Sequence, residues 1–268
     1  MLGHEQGMRG RQDMSDFRRW CTVGTPVPTG GHLAGFIESH DDGAGIATIA
    51  AGLPSTYAKS GSLARIAERL GKDAVAEFLR NKLPTSASAR SGDMGEILAT
   101  AYLHEEQGCV VGPSRLIDRD HQEWAMRGDD ALGAKFDADG KLRIVKAEAK
   151  SRARLYGNTV AEARDGLSRN DELPSPQSLT QFAERLLSTP DSENVGDAVL
   201  ALQLGEGVRP EDVDHLMFLL TGNNPGKHVT ADLEAYRGSV PQLTITLRVQ
   251  GHRQFIQEAY EKVTASGA

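Results

Sequence analysis

The segment 128–150 constrains the fold more than any other part of this 268-residue sequence. It contains two apolar stretches, 132–136 and 142–149, each with the length of a strand and separated by a polar connection. Asp139 and Gly140 in that connection are typical of a tight hairpin turn, because both tolerate positive φ angles. The segment therefore predicts an antiparallel pair of strands, whose apolar faces need further strands or helices to cover them.

Helical patterns precede and follow the hairpin. One runs from Met94 to about residue 107, carries Glu96 in its first turn and has Gly108 as its C-terminal stop. The Pro- and Ser-rich stretch 83–92 predicts a connector before it, and the polar stretch 156–176 predicts a loop. The remaining apolar patterns predict strands beginning at 109–111 and spanning 216–220 and 243–249, and helices over 179–187, 195–204 and 252–263. This order predicts a mixed α/β fold.

The N-terminal third has a different character. Residues 1–59 are rich in Gly and predict irregular structure, with short strands near 34–37 and 45–50. Residues 62–79 predict a pair of helices broken at Gly71. We therefore expect an N-terminal accessory region, 1–90, that is partly helical, and a main domain over 91–268.

Composition restricts the cellular setting. The start of the chain lacks the apolar core of a signal peptide, and no later stretch has the apolar length of a membrane helix, so we expect a soluble, cytoplasmic protein with no membrane partner. Cys21 and Cys109 are the only cysteines and do not form a CxxC pair. This argues against a disulfide framework and against a thiolate zinc site.

Alternation on the second strand of the hairpin places three charged side chains together. Successive strand residues point to opposite faces, so Lys146, Glu148 and Lys150 share one face. Asp130 precedes the first strand and can lie beside Glu148 across the hairpin. Carboxylates are hard ligands for Mg²⁺, which can activate water and neutralise charge in phosphodiester hydrolysis, while Lys150 orients the water.

Glu96, on the helix before the sheet, could add a third carboxylate or hold a water of the metal shell. Each residue also has a structural interpretation. Acids and bases alternate on exposed strands to pair across a sheet, Asp93 and Glu96 have the spacing of a capping box, and Asp130 could cap a turn beside Gly128. Their occurrence together, in one order along the chain, favours a metal site formed by Asp130, Glu148 and Glu96 with Lys150.

The order of these motifs resembles the PD-(D/E)XK nuclease superfamily, whose core is a helix, a strand meander, a helix and a final strand. Gly95-Glu96 matches its first-helix glutamate, Asp130 its metal-binding aspartate, and Glu148-Ala149-Lys150 its E-x-K motif. The resemblance implies a restriction-endonuclease-like core, a mixed central sheet flanked by helices, with an N-terminal elaboration. It also implies a deoxyribonuclease that uses Mg²⁺ or Mn²⁺.

Two positions stay open within that resemblance. The metal-binding aspartate could be Asp129, although Asp130 occupies the third position of G-x-D-x-x-G and is preferred for that reason. The Gln or Lys often found on the following helix could be Gln177, Gln181 or absent.

More narrowly, segments 95–98, 127–136 and 147–151 resemble HamA, the family of nuclease subunits in the Hachiman bacterial anti-phage system. About residues 92–154 carry the resemblance. It implies a heterodimer with a helicase, HamB, that restrains the nuclease and releases it against DNA during infection. The alternatives are a restriction or repair endonuclease of the same superfamily working alone, and a binding subunit that kept the fold without the chemistry.

Charge is distributed unevenly along the chain. The net charge is −7, but segment 141–169 has eight basic and three acidic residues and is therefore +5, which leaves −12 elsewhere. The total argues against nucleic-acid binding over the whole surface, because Lys and Arg supply most nonspecific affinity for phosphates. Within the basic segment, Lys146, Arg152 and Arg154 are candidate DNA contacts. The acidic remainder predicts a protein interface, to which we expect the N-terminal region to contribute.

Overall fold

The computed structural model describes residues 15–124 and 126–266, so the expectations for residues 1–14 lie outside the described residues. Its helices are α1 (Phe17–Trp20), α2 (Asp42–Tyr57), α3 (Ser60–Leu70), α4 (Lys72–Arg80), α5 (Ala87–Glu105), α6 (Gly157–Ser168), α7 (Pro176–Leu187), α8 (Glu193–Leu204), α9 (Gly226–Ala235) and α10 (His252–Ser266). Its strands are β1 (Cys21–Val23), β2 (Val27–Thr29), β3 (His32–Ser39), β4 (Ala131–Phe136), β5 (Leu142–Arg152), β6 (Val213–Thr221) and β7 (Gln242–Arg248). Short 3-10 turns occupy Arg115–Asp118, Pro190–Ser192 and Pro210–Asp212.

One mixed sheet contains all seven of these strands among the described residues. Strands β3, β7, β6 and β5 are parallel neighbours, while β4 joins β5, and β1 and β2 join β3, in antiparallel pairs. The predicted hairpin is confirmed, since Ala131 pairs with Ala147 and Phe136 with Leu142. The predicted mixed sheet flanked by helices is also confirmed. No described helix is long and apolar enough to cross a membrane.

Helices cover both faces of the sheet because its strands are apolar on both sides. On β6, Leu216, Phe218 and Leu220 belong to a core cluster shared with α2, α5 and α10. The alternating residues Met217 and Leu219 belong to a second cluster shared with α6 and α9. A third cluster packs α7 and α8 against β4 and the start of β5. The hairpin is therefore enclosed on both faces.

The described N-terminal residues take part in the same sheet and core. Strand β3 pairs with β7 from Leu33↔Leu243 to Glu38↔Arg248, and α2 packs against α10. The strand expected near 34–37 is confirmed as part of β3. The division of the chain at residue 90 stays a prediction; the largest core cluster contains residues from both sides of it.

Three local expectations are wrong. Residues 45–50 lie in α2, which begins where the side chain of Asp41 accepts a hydrogen bond from Ala44 N at 2.9 Å. The expected connector 83–92 already contains the first turns of α5, whose N-cap is Ser86, so Glu96 lies in the middle of the helix. The strand expected from 109 is reduced to one bridge between Val110 and Ala134.

The loop expected over 156–176 is also wrong, because α6 occupies its first half. Val160, Ala163 and Leu167 recur at helical spacing and are buried against β5 and β6. Polar residues on the exposed face conceal this short stripe in the sequence, so packing on the sheet stabilises a helix that the local pattern does not predict.

Two buried histidines should make stability depend on pH. His215 and His252 are 1% and 3% exposed, and burial lowers the pKa of each to about 4. The unfolded chain takes up these protons below about pH 6.5, whereas the folded chain does so only near pH 4. Stability is therefore full above the unfolded pKa and falls as the pH drops towards 4, by roughly 3 kcal/mol per histidine at most.

Urea unfolding between pH 7 and pH 4.5 tests this dependence. His215→Gln should show a smaller loss of unfolding free energy over that interval than the wild type. An equal loss in both proteins would contradict the assignment of the pH dependence to His215.

Candidate active site

Two glycines bring helices onto opposite faces of β5 at the E-x-K motif. Gly95 of α5 lies over one face, where a Cβ atom would be 3.7 Å from Ala149 Cβ and 3.4 Å from Ser151 Cβ. Gly166 of α6 lies over the other face, where a Cβ atom would overlap the Glu148 carboxylate. Glu148 is thereby enclosed under α6.

Glu148 and Lys150 form an ion pair on one face of β5. Lys150 Nζ donates to Glu148 Oε1 at 2.5 Å, and the two side chains are 20% and 7% exposed. Burial and the charge of Asp130 raise the pKa of Glu148, while Lys150 opposes that rise. The alternative of an exposed strand with surface charges paired across the sheet does not fit, because Glu148 is buried and bonds within its own strand.

Asp130 lies at the start of β4, between the other two acids. Its Oδ2 accepts a hydrogen bond from Ala149 N at 3.0 Å, which fixes it beside the E-x-K strand and not as a cap beside Gly128. Its Oδ1 lies 3.4 Å from Arg115 Nη2, and the same Nη2 lies 2.8 Å from Glu96 Oε2. Arg115 therefore bridges Asp130 and Glu96.

Arg115 is the residue that the sequence reasoning missed. It lies in a 3-10 turn, and its side chain is 12% exposed. An isolated arginine between two helices has no periodic pattern or motif spacing, so only the tertiary structure reveals its partners.

Burial dominates the electrostatics of Glu96. It raises the pKa of this carboxyl to about 8, with the charge of Asp130 adding to the rise and Arg115 opposing it. The capping-box interpretation is wrong: Asp93 is buried, its two carboxylate oxygens accept from Arg119, and Tyr57 donates to it at 2.5 Å. The N-cap of this helix is Ser86, which lies about two helical turns before Asp93.

Asp129 and Asp130 point to different surroundings. Asp129 Oδ2 accepts from Ser175 N at 2.8 Å, and Oδ1 lies 3.8 Å from Lys146 Nζ. Asp130 instead contacts Arg115 and adjoins the E-x-K strand. The geometry joins Asp130 to Glu96 through Arg115 and places it close enough to affect the pKa of Glu148, whereas Asp129 has structural contacts.

The expected DNA contact at Lys146 is wrong. Its side chain is 1% exposed, and Nζ donates to the carbonyl oxygens of Leu167, Arg169 and Leu173 at 2.9, 2.8 and 3.0 Å. The alternation of strand residues correctly predicts that Lys146 shares a face of β5 with Glu148. The end of α6 and the chain after it cover Lys146 on that face. Arg152 and Arg154, beyond this cover, are exposed.

A cavity of about 730 Å³ opens beside the acids. Glu96, Arg115 and Asp130 line it, together with Gln181 and Arg185 of α7. Glu148 and Lys150 do not line it, because α6 covers that side of β5. Of the two glutamines considered for the following helix, Gln181 faces this cavity.

A metal ion needs several donor atoms that converge on one point. Among residues 15–124 and 126–266, no group of three or more His, Cys, Asp or Glu side chains is arranged to hold a metal. Glu96 is held by Arg115 and is not arranged as a third ligand. By chemistry, Asp130 and Glu148 are hard oxygen donors of the kind that Mg²⁺ takes, since this ion commonly binds one or two carboxylates and completes its shell with water and phosphate.

Fold and site together define a mixed α/β protein with a carboxylate–lysine cluster on two adjacent strands. A family model described as HamA matches residues 17–263. The chain belongs to the HamA family. The resemblance seen in the sequence is thus confirmed at the level of the family.

A curated relative gives a second comparison. The Hachiman protein HamA of Bacillus cereus is 28% identical over 156 residues, which are 58% of this chain and 55% of the relative. The matched part spans about half the length of that curated relative.

Proposed function

We propose that this protein is a metal-dependent deoxyribonuclease that acts in the cytoplasm in anti-phage defence. The observation that carries the proposal is the position of Asp130 directly before β4, bonded to Ala149 N of the antiparallel strand β5, on which Lys150 donates to Glu148 at 2.5 Å. Two carboxylates and a lysine at one position suit hydrolysis of a phosphodiester.

Each side chain has a distinct task in this proposal. Asp130 and Glu148 would hold Mg²⁺ or Mn²⁺, which when bound supplies a Lewis acid and lowers the pKa of water. Ala149 N orients the Asp130 carboxylate through its hydrogen bond. Lys150 orients the attacking water or stabilises the developing oxyanion, and Glu96 with Arg115 fixes the free oxygen of Asp130.

The order of elements supports assignment to the PD-(D/E)XK superfamily. Helix α5 is followed by the antiparallel β4–β5 pair, by the three helices α6, α7 and α8, and then by β6, which is parallel to β5. The meander expected before this point contributes only the Val110–Ala134 bridge, so the proposed core is reduced at its first strand.

The proposed partner is a HamB-like helicase that restrains the nuclease and releases it against DNA. The name of the Bacillus cereus relative and the acidic charge outside segment 141–169 support this part of the proposal. A binding subunit without chemistry is the second candidate, and the absence of a third metal donor among the described residues favours it.

Plasmid degradation by the purified chain, with and without the helicase, tests the proposal. We expect cleavage in Mg²⁺ or Mn²⁺ and none in EDTA. Cleavage at a fixed sequence without the helicase would favour a stand-alone endonuclease, and absence of cleavage under every condition would favour the binding subunit.

Asp130 and Asp129 form a matched pair of variants within this assay. Asp130→Asn should reduce metal-dependent cleavage by a factor of about 100, because it removes a charged ligand and leaves the volume unchanged. Asp129→Asn should act mainly on stability, since Asp129 contacts Ser175 and Lys146. If Asp129→Asn reduced cleavage more than Asp130→Asn does, the metal ligand would be Asp129.

A further inference from the structure

Arg185 of α7 is a half-buried cation without a matching anion among the described residues. It lines the 730 Å³ cavity, and its Nε is buried with no hydrogen-bond partner in the described part of the chain. It forms no salt bridge with a carboxylate of residues 15–124 or 126–266. Burial, and then the charge of Arg115, lowers the pKa of Arg185, while Asp118 and Glu184 partly oppose that effect.

A second arginine faces the same space. Arg115 uses Nε and Nη2 on the two carboxylates, whereas its Nη1 makes only a 3.5 Å contact with the carbonyl oxygen of Arg127. Arg185, unlike Arg115, has no carboxylate partner among the described residues, so an anion bound in the cavity would compensate its charge. Guanidinium N–H donors match the geometry of phosphate oxygens, to which they bind in pairs.

The remaining lining suits the same ligand. The Ser114 and Ser178 side chains and the Gln181 amide line the cavity and can donate hydrogen bonds, and Asp130 lies at its edge. A phosphate held between the arginines would therefore lie next to Asp130, one of the two proposed metal ligands.

We propose that Arg185 and Arg115 form a phosphate-binding site in this cavity that holds the strand to be cut at a phosphate beside the scissile one. The substrate assignment rests on the proposed nuclease function. The site itself is tested by binding without metal, so its failure can be distinguished from the failure of the nuclease.

Fluorescence anisotropy with labelled single-stranded and duplex oligonucleotides in EDTA measures the contact. Arg185→Gln should weaken binding about tenfold and reduce the slope of log K against log salt by about 0.7 to 0.9, the contribution of one phosphate contact. Arg209→Gln is the matched control, because Arg209 is 54% exposed, pairs with Glu206 and does not line the cavity. It should leave both quantities unchanged.

Two further measurements complete the test. Thermal unfolding should show Arg185→Gln at least as stable as the wild type, because the variant removes a half-buried charge that has no carboxylate partner among the described residues. Calorimetry with inorganic phosphate separates the two sources of the phosphate group. Binding of phosphate that Arg185→Gln abolishes, with DNA binding unchanged, would keep the site and overturn its assignment to the DNA strand.

The proposal is overturned if Arg185→Gln, folded as the wild type, binds both DNA and phosphate as the wild type does. It is also overturned if Arg209→Gln weakens binding equally, since the effect would then be one of general charge. DNA binding that depends on Arg185, with no cleavage in any metal, would support this site and refute the nuclease.

Discussion

Glu148→Gln should reduce metal-dependent DNA cleavage by about a thousandfold or more while the protein stays folded. The substitution removes a proposed metal ligand and keeps the side-chain volume, which matters because α6 packs on this carboxylate at Gly166. Removal of a buried charge relieves its desolvation cost, and Lys150, which is 20% exposed, remains partly solvated. Loss of cleavage would therefore reflect lost chemistry.

Plasmid cleavage in Mg²⁺ with the helicase present measures this effect, and Glu162→Gln is the matched control. Glu162 is an exposed glutamate of α6 on the same side of the sheet, so its variant should cut as the wild type does. Normal cleavage by a folded Glu148→Gln protein would remove Glu148 from the site.

Lys150→Met separates the proposed role of Lys150 in orienting water from the proposed role of Glu148 in holding the metal. It should also abolish cleavage, but Mn²⁺ binding measured by calorimetry should persist, because Asp130 and Glu148 are both retained. Loss of metal binding in this variant, with the fold intact, would show that Lys150 acts by holding Glu148 in place.

Lys146→Met should lower the free energy of unfolding by about 3 to 5 kcal/mol, as expected when one partner of a buried charged network is removed. Three carbonyl oxygens and the Asp129 carboxylate surround Lys146 Nζ. Methionine fills a similar volume but donates no hydrogen bond, so these acceptors would stay buried without a partner.

Urea unfolding checks this value against Lys141→Met. Lys141 pairs with Asp212 but is 52% exposed, so its removal should cost less than about 1 kcal/mol. A loss below 1 kcal/mol for Lys146→Met as well would mean that the carbonyl oxygens find water instead. In that case the hydrogen bonds from Lys146 would not be what fixes the position of the chain after α6.

The sequence predicted the elements whose patterns are local. The β4–β5 hairpin, β6, β7 and α10 were identified because strict alternation, a wholly apolar run or a helical stripe marks each one. The same alternation correctly placed Lys146, Glu148 and Lys150 on one face of a strand.

The rest depends on residues that are distant in sequence. Helix α6 forms because β5 and β6 offer it an apolar surface, which its own polar sequence does not reveal. Lys146 is buried because carbonyl oxygens more than twenty residues later surround it. Arg115 bridges two acids from a turn that has no pattern. In each case the missing information is a contact between separate elements.

The parallel pairing of β3 with β7 affects how the sheet forms during folding. Leu33 of β3 pairs with Leu243 of β7, so 210 positions of sequence separate these two neighbours in the sheet. The antiparallel β1–β2–β3 unit can pair internally while it waits, but the non-local parallel contacts form slowly. Strand β5 likewise pairs with β6, from which α6, α7 and α8 separate it along the chain. The strand that carries Glu148 and Lys150 therefore joins the rest of the sheet only through contacts between residues that are distant in sequence.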